Sequence, residues 1–183
     1  ESAVDLGDGT YLVQFMRQTT PEYVRVSNDI PSTSGTSYKF ARPGSSGTVW
    51  APVMEKAYAY FRTGQNTYAS ISGGWMGDVY RAMGVRPSTI TLGGTADSFF
   101  SMVSSAFNAG KAITFGTSTS APTLVRSHAY TLVGVTRDSS GIARYTIRNP
   151  WGASGNALES NAGIATLTFE QMRANFSVGA MAA

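Results

Sequence analysis

His128-Ala129-Tyr130-Thr131-Leu132-Val133-Gly134-Val135 and Ile142-Ala143-Arg144-Tyr145-Thr146-Ile147-Arg148 flank the turn segment Asp138-Ser139-Ser140-Gly141. Both flanks are rich in β-branched and aromatic residues, and the segment between them is turn-forming, so this stretch predicts a β-hairpin. The hairpin carries the lone histidine, His128, at the start of one strand, and Asn149 just past the end of the other, 21 residues on. Antiparallel pairing places the first residue of one strand opposite the last of the next. The amide oxygen of Asn149 can then accept a hydrogen bond from one imidazole N–H, which fixes the tautomer and leaves the other ring nitrogen for proton transfer. Pro150 stiffens the turn that follows, and Trp151 is placed to cover the pair and keep water off it. A packed or surface histidine beside an ordinary Asn-Pro turn is the competing reading of the same residues.

Outward from the hairpin, Ala112–Thr117, Ile164–Leu167 and Phe176–Met181 read as further strands, and Thr168-x-x-Gln171 as a capping box for one helical turn. Thr95 caps a predicted helix with Asp97 in its first turn. Its apolar residues are Phe99, Phe100, Met102, Val103, Ala106 and Phe107, and it ends at Asn108–Gly110. Val85–Gly94 reads as a crossover between two lobes. Nearer the N-terminus, Trp50, Val53, Met54, Ala57, Tyr58 and Phe61 share one face of a helix. Pro52 stands in its first turn and Gly64 at its stop. A shorter helix opens at Gly73-Gly74-Trp75 and ends at Gly84. Tyr11–Arg17 and Glu22–Val26 read as two strands around a Thr-Thr-Pro turn, with loops at Asp29–Gly35 and Arg42–Gly47. Helices in the middle and strands towards the C-terminus make an α+β chain.

With 183 residues, 42% of them hydrophobic, the chain has the size and apolar content to bury a core. It has no cysteine, so disulfides, thiolate metal sites and a cysteine nucleophile from within these residues are excluded. One histidine excludes multi-histidine metal sites, and the acidic residues are spread singly. Lys39, Lys56 and Lys111 are the only lysines, so arginine supplies the other 11 of the 14 basic residues. These are scattered rather than clustered, which argues against a nucleic-acid face. There is no phosphate-loop motif, no nucleophile elbow, and no apolar run of the ~20 residues that a membrane span requires. Low charge, few lysines and abundant Ser, Thr, Gly and Asn lean towards a secreted or cell-envelope bacterial protein. The opening Glu1-Ser2-Ala3 has no initiator Met, so upstream sequence is expected.

Ser127-His128-Ala129-Tyr130 and Arg148-Asn149-Pro150-Trp151-Gly152 resemble the histidine and asparagine motifs of calpain-type cysteine proteases. Trp50–Tyr58 (WAPVMEKAY) resembles that family's Glu-Lys-Ala-Tyr helix, and Tyr68–Gly74 (YASISGG) its Ser-Gly-Gly segment. Tyr11–Pro31 is similar to the preceding strand pair, and Thr166–Met181 to the closing strand–turn–strand. The resemblance implies a papain-like cysteine protease fold. Residues 1–84 would form the later part of the helical lobe, and 85–183 an antiparallel, barrel-like sheet lobe. It implies that His128 is general base and then acid, that Asn149 orients it, that Trp151 shields them, and that the backbone of Gly74 and the wall at Ser127 meet an extended peptide substrate.

Leu6-Gly7-Asp8-Gly9 imitates the family's Leu-Gly-Asp-Cys string but abuts the first strand, leaving no room for the cysteine helix. The nucleophile and the oxyanion-hole glutamine are therefore expected on another segment or chain, and the isolated chain is expected to be inactive. Ser127 replaces the family's glycine. Thr48 replaces an acidic calcium ligand, and Ala153–Gly163 lacks the acidic loop of a second calcium site, so no calcium switch and no cofactor are expected. A pseudoprotease or peptide-binding module, or acyl transfer to an amine, are the alternatives.

Overall fold

The structure, a computed structural model, describes residues 2–34, 37–44 and 46–182. The chain divides into two compact units, residues 1–84 and 85–183.

In the first unit, β1 (Ala3–Asp5), β2 (Thr10–Arg17) and β3 (Thr20–Ser27) form an antiparallel sheet in that order. The β2–β3 turn is Gln18-Thr19, one residue earlier than the expected Thr-Thr-Pro, and Pro21 lies inside β3 opposite Met16. It is tolerated there because β3 is an edge strand, where a missing N–H costs no ladder bond. In a short antiparallel pair, β4 (Ser32–Ser34) with β5 (Ser37–Tyr38), β4 lies within the expected loop Asp29–Gly35. The expected loops also take in Gly35 and Ser45, which lie outside the described residues.

Helix α1 (Trp50–Thr63) ends at Gly64, whose left-handed φ of 67° lets its N–H cap the Tyr60 carbonyl. Its inner face meets the sheet: Phe15 packs 4.8 Å from Phe61 and 5.7 Å from Tyr58, in a core with Val13, Val24, Val53 and Ala57. Trp50, expected on that face, is instead 67% exposed. It is the first helical residue, one turn before Val53, and lines a surface recess together with Ala3 and Tyr11 of the sheet. A 3-10 turn (Tyr68–Ile71) and α2 (Met76–Ala82) complete the unit.

The second unit is one six-stranded antiparallel sheet, order β10-β9-β8-β7-β11-β6. The strands are β6 (Pro87–Ile90), β7 (Ile113–Thr117), β8 (Ala129–Arg137), β9 (Ala143–Arg148), β10 (Ile164–Leu167) and β11 (Phe176–Ala182). Helices α3 (Ala96–Asn108) and α4 (Phe169–Asn175) carry the capping boxes Thr95/Ser98 and Thr168/Gln171. Both pack on one face. Phe99 of α3 meets Tyr145 of β9 at 5.4 Å and Phe169 of α4 at 5.1 Å, in a core with Phe115, Tyr130 and Ile147. Among the described residues the sheet is open, ending at β10 and β6, and does not close into the expected barrel. β6 also occupies what reads as a crossover. It fits because Gly179 of β11 has no side chain, for a Cβ there would meet the Phe115 ring at 2.7 Å and the Ile90 Cβ at 3.1 Å. No described helix is long and apolar enough to cross a membrane.

Candidate active site

The hairpin's register brings the site together, with a correction. β8 carries a bulge between Leu132 and Gly134, leaving Val133 as an extra, exposed residue. Beyond it Thr131 lies opposite Arg148. The same register carries Asn149 opposite Tyr130, with His128 two positions further along the same face rather than directly across. Diagonal neighbours on one face remain within reach of longer side chains. His128 Nε2 lies 3.0 Å from Asn149 Oδ1. Nδ1 has no hydrogen-bond partner among the described residues.

Each member is fixed from behind. The His128 carbonyl accepts from Thr117 N at 2.8 Å, and His128 N donates to Thr117 Oγ1 at 2.8 Å, so the histidine stays laddered to β7 one residue before β8 begins. Asn149 is 0% exposed, its N–H donating to the Gly163 carbonyl at 2.8 Å. Its Oδ1 also accepts from Trp151 N at 3.0 Å, so the Asn-Pro-Trp turn closes on its own side chain. The Trp151 indole packs 4.6 Å from the imidazole between ring centroids yet is 57% exposed, so it covers one side of the histidine only. The Tyr130 ring meets the imidazole edge-on at 5.2 Å.

Ser127, just before the histidine, has φ 49°, the left-handed region that a Cβ disfavours. Gly74 lies in the other unit, between the 3-10 turn and α2. There the Arg62 guanidinium donates to the carbonyls of Ser70 and Gly73, and a Cβ on Gly74 would sit 3.1 Å from Arg62 Nη1.

One residue of the site escaped the sequence reading. Glu159, 8% exposed, accepts from Tyr130 Oη and Asn156 Nδ2, each at 2.6 Å, from Gly155 N at 2.7 Å and from Asn149 Nδ2 at 3.0 Å. Burial pushes its carboxyl up, but the donors on it outweigh burial and hold it below the usual carboxylate range. Burial, then hydrogen bonding to Glu159, drives the Tyr130 phenol up. Gly155 permits the arrangement, for a Cβ there would lie 3.0 Å from Asn149 Nδ2. The available signal was faint: Glu159 is the only acidic residue between Asp138 and Glu170. Four protein donors share its two oxygens.

The calpain family cysteine protease model matches residues 3–159, a span that contains both His128 and Asn149. The chain belongs to the calpain family of cysteine proteases. The match spans the first unit and the second as far as Glu159, and its family chemistry is peptide hydrolysis. The likeness expected at Thr166–Met181 lies beyond the matched span. No curated protein matches the chain. These 183 residues contain no cysteine.

Proposed function

We propose that this calpain-family chain is the histidine- and asparagine-bearing part of a papain-like thiol endopeptidase, with the nucleophilic cysteine supplied from outside these 183 residues. The observation that carries the reading is the 3.0 Å contact of His128 Nε2 with the fully buried Asn149, which leaves Nδ1 as the nitrogen for proton transfer. In this reading Nδ1 of His128 takes the thiol proton, and the imidazolium donates through Nε2 to Asn149 Oδ1. The thiolate attacks a peptide carbonyl, and His128 returns the proton to the leaving amine as the acyl–sulfur bond forms. A water then gives up a proton to His128, its oxygen attacks the acyl carbon, and the thiolate leaves. Trp151 keeps water from one side of the pair, and the wall at Ser127 serves as a contact for an extended peptide.

The absence of cysteine favours a second reading, a module that binds peptide without cutting it. Co-expression with a cysteine-bearing segment of a calpain-family protease separates them. The protease reading expects peptide cleavage abolished by His128→Ala and by thiol alkylation. Peptide binding without cleavage supports the module, and cleavage that survives His128→Ala defeats the protease.

A further inference from the structure

An asparagine side chain can present either its oxygen or its nitrogen to a neighbour, because the two ends of the amide have nearly the same shape. Which end faces His128 decides which imidazole nitrogen carries the proton. If Oδ1 faces the ring, Nε2 must be N–H and Nδ1 carries the lone pair; if Nδ2 faces it, the assignment is reversed. Something must therefore hold Asn149 one way round. The Trp151 N–H contributes by donating to Oδ1 at 3.0 Å. On the other end stands Glu159, whose Oε2 accepts from Asn149 Nδ2 at 3.0 Å.

Glu159 differs from an ordinary buried acceptor in that all four of its partners are donors. The Gly155 N–H and the Asn149 and Asn156 amide nitrogens have only protons to offer. The Tyr130 hydroxyl has its oxygen occupied by Val125 N at 3.1 Å, so its proton points to Glu159. Four converging protons call for an anion with two acceptor oxygens. A carboxylate cannot accept from an amide oxygen, so a flipped Asn149 would set Oδ1 against Glu159 with no proton between them. We infer that Glu159 is the positioning residue for the His128–Asn149 pair: its carboxylate holds the Asn149 amide so that Oδ1 faces the ring, which keeps the proton on Nε2 and the lone pair on Nδ1. The catalytic meaning of that lone pair rests on the reading proposed above, whereas the proton register belongs to the chain itself.

The test needs neither nucleophile nor substrate. His128 is the only histidine, so its ring signals in the ¹⁵N-labelled chain need no assignment. Long-range proton–nitrogen spectra of the neutral ring report the tautomer. The wild-type chain is expected to show protonated Nε2 and bare Nδ1. Glu159→Gln offers one acceptor oxygen to four donors and a second N–H₂ to the Asn149 amide, and is expected to move the tautomer ratio about tenfold or more towards Nδ1–H, as loss of a charge-assisted bond implies. Tyr130→Phe is the comparator. It removes one donor from the same cluster and destabilises the same core, but leaves the carboxylate on Asn149, so it should keep the wild-type ratio.

A folded Glu159→Gln with the wild-type tautomer overturns the inference, as does an equal shift in Tyr130→Phe. If Glu159→Gln does not fold, Glu159→Asp, which draws the charge back by one methylene, takes its place with the same expected direction, and a wild-type ratio there overturns the inference equally. Failure of peptide cleavage with these spectra as expected would remove the protease reading and leave the role of Glu159 standing.

Discussion

Replacing Asn149 by aspartate changes one atom, the amide nitrogen, into an oxygen that faces Glu159 Oε2 at 3.0 Å. At that distance two unit charges repel by about 5–6 kcal/mol at an effective dielectric of about 20, enough that the site takes up a proton instead. Holding a proton on a carboxyl that would release it near pH 3.9 in the unfolded chain costs about 1.4 kcal/mol per pH unit above that value. Asn149→Asp should therefore lose about 4 kcal/mol at pH 7 and only about 1.5 kcal/mol at pH 5. The sign follows from proton counting: the native variant binds one proton more than its unfolded chain, so its stability falls as pH rises, relative to the wild type. Urea unfolding of both chains at pH 5, 6 and 7, followed by tyrosine and tryptophan fluorescence, measures it. A variant as stable as the wild type at pH 7, with no pH-dependent difference, would show that Glu159 does not face the Asn149 amide nitrogen as a charged carboxylate.

Glu159 itself sets a second pH dependence. Its folded-state pKa lies below the unfolded value of 4.5, so the stability it adds is present above that value and fades as pH falls through the folded one. The gap in unfolding free energy between wild type and Glu159→Gln, about 2–4 kcal/mol at pH 7 for the donors left unpaired, should narrow as urea titrations are taken from pH 5 towards pH 3. Ser127→Gly removes the Cβ from a residue at φ 49°, worth about 1–2 kcal/mol, against about 0.5–1 kcal/mol of extra backbone entropy lost on folding. A net gain of about 0.5–1 kcal/mol should appear as a raised thermal midpoint, and a lowered one would show that the serine relieves its own strain. Phe99→Ala, at a side chain 2% exposed between Tyr145 and Phe169, should cost about 3–5 kcal/mol in the same assay; a loss under about 1 kcal/mol would mean that the face under α3 is not close-packed.

Much of this architecture was legible because local patterns were unambiguous. The apolar stripe from Val53 to Phe61, Thr95 as a cap and the β8–β9 alternation each reflect a periodicity that burial imposes on sequence. What escaped reading depends on contacts between distant residues. The bulge at Val133 leaves no mark, because Leu132-Val133-Gly134-Val135 suits a regular strand equally well. Pro21 looks like a turn former until β3 is seen to be an edge. β6 is a strand only because Gly179 yields space to Ile90. The same applies to the site. His128 and Asn149 flank a hairpin, so their proximity is a local matter, whereas Glu159 sits in an irregular loop ten residues beyond Asn149, with no periodicity to project it inward. Its importance follows from four donors that converge only in the folded chain.

We propose that His128, steered by Asn149, supplies the proton transfer for a thiol that these 183 residues do not contain. Peptide hydrolysis measured on the purified chain alone, and on the chain assembled with a cysteine-bearing segment, tests it most directly. No turnover is expected from the chain alone, turnover from the assembly, and its loss in His128→Ala. Turnover by the isolated chain, or by an assembly lacking the imidazole, would contradict it.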